Sequence, residues 1–120
     1  MSRQQTDTTD TGKSQGCCAV AQPLTEGELA ADVQTLTTLG SETRYEALRL
    51  IAASDDGVCV CEMEPTLGVS QGAVSQALSK LFGAGLVERR KEGRWRYYTA
   101  TPRAEKLLDA IDETRSTDDE

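Results

Sequence analysis

Residues 70–98, SQGAVSQALSKLFGAGLVERRKEGRWRYY, hold a helical pattern followed at once by a basic hairpin pattern, and that order decides how the rest of the chain is read. Val74, Ala77, Leu78 and Leu81 recur at the spacing of one buried helix face, and Ser70 stands where an N-cap is needed. The opposite face carries Gln71, Gly72, Ser75, Gln76 and Ser79, with Lys80 following. It has hydrogen-bonding side chains and no carboxylate, in a chain that is 28% charged. Side chains of this kind can donate to and accept from base edges in a major groove, and the missing carboxylates avoid repulsion from phosphates. After Phe82-Gly83-Ala84-Gly85 come two β-prone runs, 86–91 and 94–100, around a turn expected at Glu92-Gly93. Arg89, Arg90, Lys91, Arg94 and Arg96 surround that turn, a set able to lie along phosphates or enter a minor groove. Trp95 and Tyr97 alternate with the arginines at period two, which predicts them on the face packed against the helices.

Working outward, Leu29, Val33, Leu36 and Leu39 predict a first helix closed by Gly40. Ser41 offers an N-cap for a second, with Arg44, Ala47, Leu48 and Ile51 on one stripe before the Asp55-Asp56-Gly57 turn. Downstream, Thr101 and Pro102 open a last helix carrying Leu107, Leu108 and Ile111. Helices, one hairpin and a closing helix give an α+β, mostly helical fold in winged helix-turn-helix order, with one β-hairpin wing. No internal repeat is present. The 120 residues have room for one domain, expected over 23–114. Residues 1–22 are read as a flexible polar tail, because Ser, Thr, Asp, Gln and Gly bury too little to offset ordering entropy, and 115–120 as an acidic one. No apolar stretch has the length of a membrane span or a signal-peptide core, so a cytoplasmic protein without a membrane partner is expected.

The net charge of -7 is unevenly spread. Residues 68–98 carry six basic and two acidic side chains, whereas the rest of the chain carries seven basic and 18 acidic ones. A positive segment in an acidic protein is the footprint of a nucleic-acid contact surface.

Four cysteines and no histidine remain to be explained. Cytosolic thiols stay reduced, so Cys17, Cys18, Cys59 and Cys61 point to metal or redox chemistry before structural disulfides. Cys59 and Cys61, in DGVCVCEMEP at 55–64, are also consistent with small apolar core residues, and Cys17 and Cys18 with incidental thiols of the tail. In a regular helix positions i and i+2 point to nearly opposite sides, so gripping one ion requires extended or distorted backbone, which Pro65 favours. An enzyme is not expected: there is no histidine base and no Cys-x-x-Cys beside a βαβ pattern.

TLGSETRYEALRLIA at 38–52 and CVCEMEPTLGVSQGAVSQALSKLFGAGLVERRKEGRWRYY at 59–98 resemble the ArsR/SmtB family of metal-responsive winged-helix repressors, over roughly residues 26–111. The resemblance implies a homodimer, joined through the first and last helices, that represses transcription from double-stranded operator DNA and leaves when a toxic metal or metalloid binds. It requires no cofactor. Zinc-sensing members use histidines on the last helix, which this chain lacks. Arsenite-sensing members carry a Cys-Val-Cys-Asp-Leu-Cys motif, matched here at Cys59 and Cys61 but with Glu64 in the third sulfur position. A soft ion such as As(III) or Sb(III) prefers thiolates to a carboxylate. The resemblance therefore implies a third ligand from Cys17 or Cys18, as in members that detect cadmium or lead. A thiol redox sensor on the same fold, or a cadmium or lead sensor, is the alternative.

Overall fold

The computed structural model describes residues 18–115. Thr25 and Glu28 form a reciprocal capping box, in which the Glu28 N–H donates to Thr25 Oγ1 at 3.0 Å and the Thr25 N–H to Glu28 Oε1 at 2.9 Å. Helix α1 then runs Glu26–Leu39. Backbone contacts group the chain into two units, Met1–Ala30 and Ala31–Glu120. The first holds the capped start of α1, and every element that follows belongs to the second.

Ser41 caps α2 (Glu42–Ala52) by accepting from the Arg44 N–H at 3.3 Å. A two-residue strand, β1 (Val58–Cys59), leads into α3 (Val60–Leu67), which ends where Gly68 takes the left-handed conformation at φ 71°. Ser70 caps α4 (Gln71–Gly83), its hydroxyl accepting from the Ala73 N–H at 3.1 Å. Strands β2 (Val87–Glu92) and β3 (Trp95–Ala100) form the wing, and α5 (Pro102–Thr114) closes the chain behind a Thr101 cap. Among the described residues, no helix is long and apolar enough to cross a membrane.

The core gathers Ala47, Leu48 and Ile51 of α2, Met63 of α3, Val74, Leu78 and Leu81 of α4, then Leu86, Val87, Tyr98, Ala104 and Leu108. The stripe predicted for α4 is buried, and so are Ala47, Leu48 and Ile51 of the α2 stripe, whose Arg44 is only half-buried. Three details differ from the sequence expectation. The wing turns at Gly93-Arg94, one residue later than expected, with Glu92 opposite Trp95 and Gly93 supplying the positive φ of 62°. The sheet has three strands in the order β1-β3-β2, because Val58 and Cys59 pair with Tyr98 and Tyr97. A two-residue strand is too short to show a period.

The third detail concerns which side chains are buried. Tyr98 is the core aromatic, while Trp95 is 51% exposed and Tyr97 half-buried. Trp95 sits at the tip of the hairpin and shares the face of Tyr97 rather than that of Tyr98 and Ala100. On α1, Thr35 and Thr38 are the buried positions, and Val33 and Leu36 are 51% and 69% exposed. Arginines hold this helix down: Arg103 donates to Thr35 Oγ1 at 2.6 Å and Arg44 Nε to the Thr38 carbonyl at 2.8 Å. Of the expected apolar stripe only Leu39 packs against the core, and Leu29, Val33 and Leu36 are left on the surface.

Candidate nucleic-acid interface and thiol cleft

Burial of Val74, Ala77, Leu78 and Leu81 fixes the rotation of α4. Gln71, Gly72, Ser75, Gln76, Ser79 and Lys80 are consequently all exposed, as expected of a reading face. Ser70 is exposed as well, with its oxygen accepting in the cap while its O–H and second lone pair remain for outward bonding. No acidic residue stands in the first turn of α4, so its positive pole is uncompensated.

The five wing cations are all exposed, yet the register divides those of the strands between two faces. Arg89 lies opposite Tyr98 and Lys91 opposite Arg96, which puts Arg89, Lys91 and Arg96 on the face of the core strand positions. Arg94 is in the turn. Among the described residues, none of these four forms an ion pair, although the Arg89 guanidinium lies 4.1 Å from the centre of the Phe82 ring. Arg90 is on the other face with Glu88, Glu92 and Tyr97. It pairs with Glu92 at 2.9 Å, donates to the Asp56 carbonyl at 3.1 Å and lies over the Tyr97 ring. Arg90 is thus a tie between the wing and the 55–57 turn, a role its place in a basic run could not disclose.

Cys59 is the last residue of β1 and the N-cap of α3, with extended backbone at φ -88° and ψ 149°, and Cys61 is the second helical residue. This placement escapes the geometric objection to Cys-x-Cys in a helix, since only one of the two is helical. Their sulfurs lie 3.1 Å apart, the Cys61 thiol donating to Cys59. That contact, foremost, holds the Cys61 thiol above its ordinary pKa. Cys59 is buried and Cys61 exposed. The Cys59 N–H donates to Glu62 Oε1 at 2.9 Å. Helix α3 continues through Pro65, so the Cys61 carbonyl lacks an N–H four residues on.

The two thiols open on a cleft of about 500 Å³ whose other walls are Gln71 of α4 and Lys91, Arg94, Trp95 and Arg96 of the wing. Trp95 is the residue that sequence reasoning missed here. The signal was available: once Tyr98 and Ala100 face the core, Trp95 and Tyr97 must point the other way. Among the described residues, no three Cys, Asp or Glu groups come together as a metal site. Two thiols suit a soft ion, and coordination by three sulfurs requires one from outside this pair. Cys18 is exposed, and Cys17 lies outside the described residues.

Comparison with known proteins adds to this geometry. Residues 41–89 match the family described as "Bacterial regulatory protein, arsR family". A Halobacterium salinarum protein named "Putative arsenical resistance operon repressor" is 56% identical over 102 residues, covering 85% of this chain and 86% of that one. The arsenical resistance operon repressor of Escherichia coli is 32% identical over 81 residues, 64% of this chain and 68% of its own length. The solution structure of a homodimeric winged helix-turn-helix DNA-binding domain from Mycobacterium bovis superposes with a TM-score of 0.69 over 79% of this chain and 87% of that one, at 23% identity.

Proposed function

Because the chain belongs to the arsR family of bacterial regulatory proteins, whose members are transcriptional regulators and not enzymes, we propose that it is a cytoplasmic repressor of arsenical resistance genes. It binds operator DNA as a homodimer, reading bases with Gln71, Ser75, Gln76 and Ser79 while Lys80, Arg89, Lys91, Arg94 and Arg96 engage phosphates. Residues 23–114 form the DNA-binding and dimerisation domain, flanked by the polar segments 1–22 and 115–120. Exposed Val33 and Leu36 on α1 and Ile111 on α5 support a second copy as the partner. The release signal is As(III), Sb(III) or another soft ion held by Cys59 and Cys61, with Cys17 or Cys18 as the third thiolate.

The observation that carries this reading is the shared cleft. The thiols lie beside Gln71 and the wing cations, and Cys59 pairs through β1 with Tyr97 of the wing strand. Ligation remakes the α3 cap, and with it the spacing between α4 and the wing. A ligand favouring that altered state lowers DNA affinity by its differential affinity for the two states. An operator gel shift with arsenite, antimonite, cadmium and lead under reducing conditions tests the proposal, repeated on Cys59→Ser, Cys61→Ser and the double change Cys17→Ser, Cys18→Ser. Release of the Cys59→Ser variant at wild-type arsenite concentrations would falsify the ligand assignment. The 3.1 Å sulfur contact also favours a second reading, in which peroxide joins the same pair as a disulfide with loss of two waters. Peroxide in place of arsenite in the same assay separates the two.

A further inference from the structure

Two threonines of α1, Thr35 and Thr38, are buried, and their hydroxyls are used differently. Thr38 Oγ1 donates to the Gln34 carbonyl of its own helix at 2.7 Å. Thr35 Oγ1 donates to the Ala31 carbonyl at 3.1 Å, which turns a lone pair outward, and there it accepts from Arg103 Nη2 at 2.6 Å. The same guanidinium donates through Nη1 to the Ala84 carbonyl at 2.9 Å. Ala84 is the C-cap of α4, so Arg103 gives a partner to an orphan carbonyl at that end and a positive charge to the negative pole. Thr101 bolts α5 to the same turn, its Oγ1 donating to the Gly85 carbonyl at 3.0 Å, but does not continue to α1. Among the described residues, Arg103 is the side chain that hydrogen-bonds both α1 and the end of α4.

Building on the repressor reading, we propose that Arg103 is a positioning residue for operator recognition, fixing the C-terminal end of α4 against α1. The outward side of α1 carries Val33 and Leu36, where a second copy is proposed to dock, and the buried side carries Thr35. Covering the outward side holds α1 down, keeps the Thr35 oxygen in place and so aims the guanidinium at Ala84. The reading face is thereby set from both ends. Ser70 fixes its start, next to Gln71 of the thiol cleft, and Arg103 fixes its end beside the dimer helix. A guanidinium suits this task because its planar fork holds two acceptors at a fixed angle, which an ammonium on a flexible stem does not. Arg103 acts through α4 and needs no contact with DNA.

Operator affinity and its salt dependence are measured on the full-length protein at concentrations where sedimentation shows the dimer complete. The variants are Thr35→Val, Arg103→Gln, their double change, Arg103→Lys and Thr38→Val, each first shown by thermal melting to be folded. Thr35→Val and Thr38→Val remove the same hydroxyl from the same buried side of α1, so a merely structural role would make them alike. Thr35→Val and Arg103→Gln are each expected to weaken operator binding roughly five- to tenfold, and the double change no further than the weaker single one, because both break one contact. Arg103→Lys, which keeps the charge but not the fork, is expected to fall with Arg103→Gln. Thr38→Val is expected to bind as wild type. The slope of log K against log salt is expected to hold throughout, since no phosphate contact is lost. Equal losses in the two threonine variants or additive losses in the double change overturn the proposal. Full affinity in Arg103→Lys, or a slope reduced by about 1 in Arg103→Gln, overturns it by making Arg103 a phosphate contact. Wild-type affinity in Thr35→Val overturns it too, yet leaves the repressor reading standing. If the wild type does not distinguish operator from a scrambled duplex, the repressor reading fails and this proposal falls with it.

Discussion

Helix α4 runs for 13 residues behind a serine cap, with four buried apolar residues and an outer face free of carboxylates. Helix α3, separated from it by three residues, runs for 8, has a cysteine at its N-cap, buries only Met63 and contains Pro65. The long helix has the rigidity needed to hold hydrogen-bonding side chains in register with bases. The short one is poorly anchored and capped by groups that a soft ion can claim. On the function proposed above, reading and sensing sit on neighbouring helices of unlike construction, and the thiol cleft is where one acts on the other.

The sharpest way to break this contrast is to exchange the fates of the two caps. Cys59→Ser replaces one N-cap by a better one, so stability and operator affinity should hold while release by arsenite is lost completely. Ser70→Ala should do the reverse, lowering stability by about 1 kcal/mol while release by inducer persists. Thermal melts and gel shifts on both variants give the answer. Loss of inducer response in Ser70→Ala would show that α4 is itself part of the switch.

Pro65→Ala sharpens the same point from the other end of α3. Alanine restores an N–H for the Cys61 carbonyl and removes the ring clash, which should stabilise the protein by up to about 3 kcal/mol. A firmer α3 is harder to remake, so the arsenite concentration needed for half release should rise. An unchanged midpoint despite a raised Tm would mean that α3 does not deform when the ion binds.

On the reading side, Gln71→Ala and Gln76→Ala should each relax discrimination at particular operator positions by about 1–3 kcal/mol. Binding measured across a library of single-base operator variants reveals this, and unaltered preference in both variants would remove α4 from the interface. The wing divides further. Arg96→Ala should weaken binding to all sequences and reduce the slope of log K against log salt by about 1. Arg90→Ala should leave that slope nearly unchanged, because its guanidinium is tied to Glu92 and the Asp56 carbonyl.

Much of this was readable before any coordinates. Four helices announced themselves by apolar spacing plus a cap, namely Thr101 with Pro102, Ser41, Ser70, and Gly40 as a stop. The exposed polar face of α4 followed from the same periodicity. What could not be read was long-range: β1 exists only because β3 offers it a partner, and that pairing fixes where Cys59 lies relative to Tyr97 and Trp95. The convergence of the two sulfurs depends on the helix starting between them, a boundary that composition does not set to one residue. The split of the arginines between two faces likewise waited on a register shifted by the turn at Gly93-Arg94.

The smallest effect belongs to the frame that carries both helices. Arg49 of α2 pairs with Asp112 of α5 at 2.7 Å, and Arg115 reaches the same carboxylate at 2.9 Å. Arg49, and then Arg115, hold the Asp112 carboxyl below the usual carboxylate range. A group whose native pKa is depressed binds fewer protons folded than unfolded, so its contribution is present above the unfolded carboxylate pKa of about 4 and disappears as pH falls through the lower native value. Asp112→Asn should therefore lower Tm slightly at pH 7, and the two melting curves should converge in acid. The two side chains are 32% and 43% exposed, and solvent screening of such a pair keeps the difference small. Since this pair touches neither the thiols nor the reading face, operator affinity and the arsenite midpoint should not move. A shifted midpoint in Asp112→Asn would mean that the α2–α5 frame moves with the switch, and the division between a fixed reader and a yielding sensor would have to be redrawn.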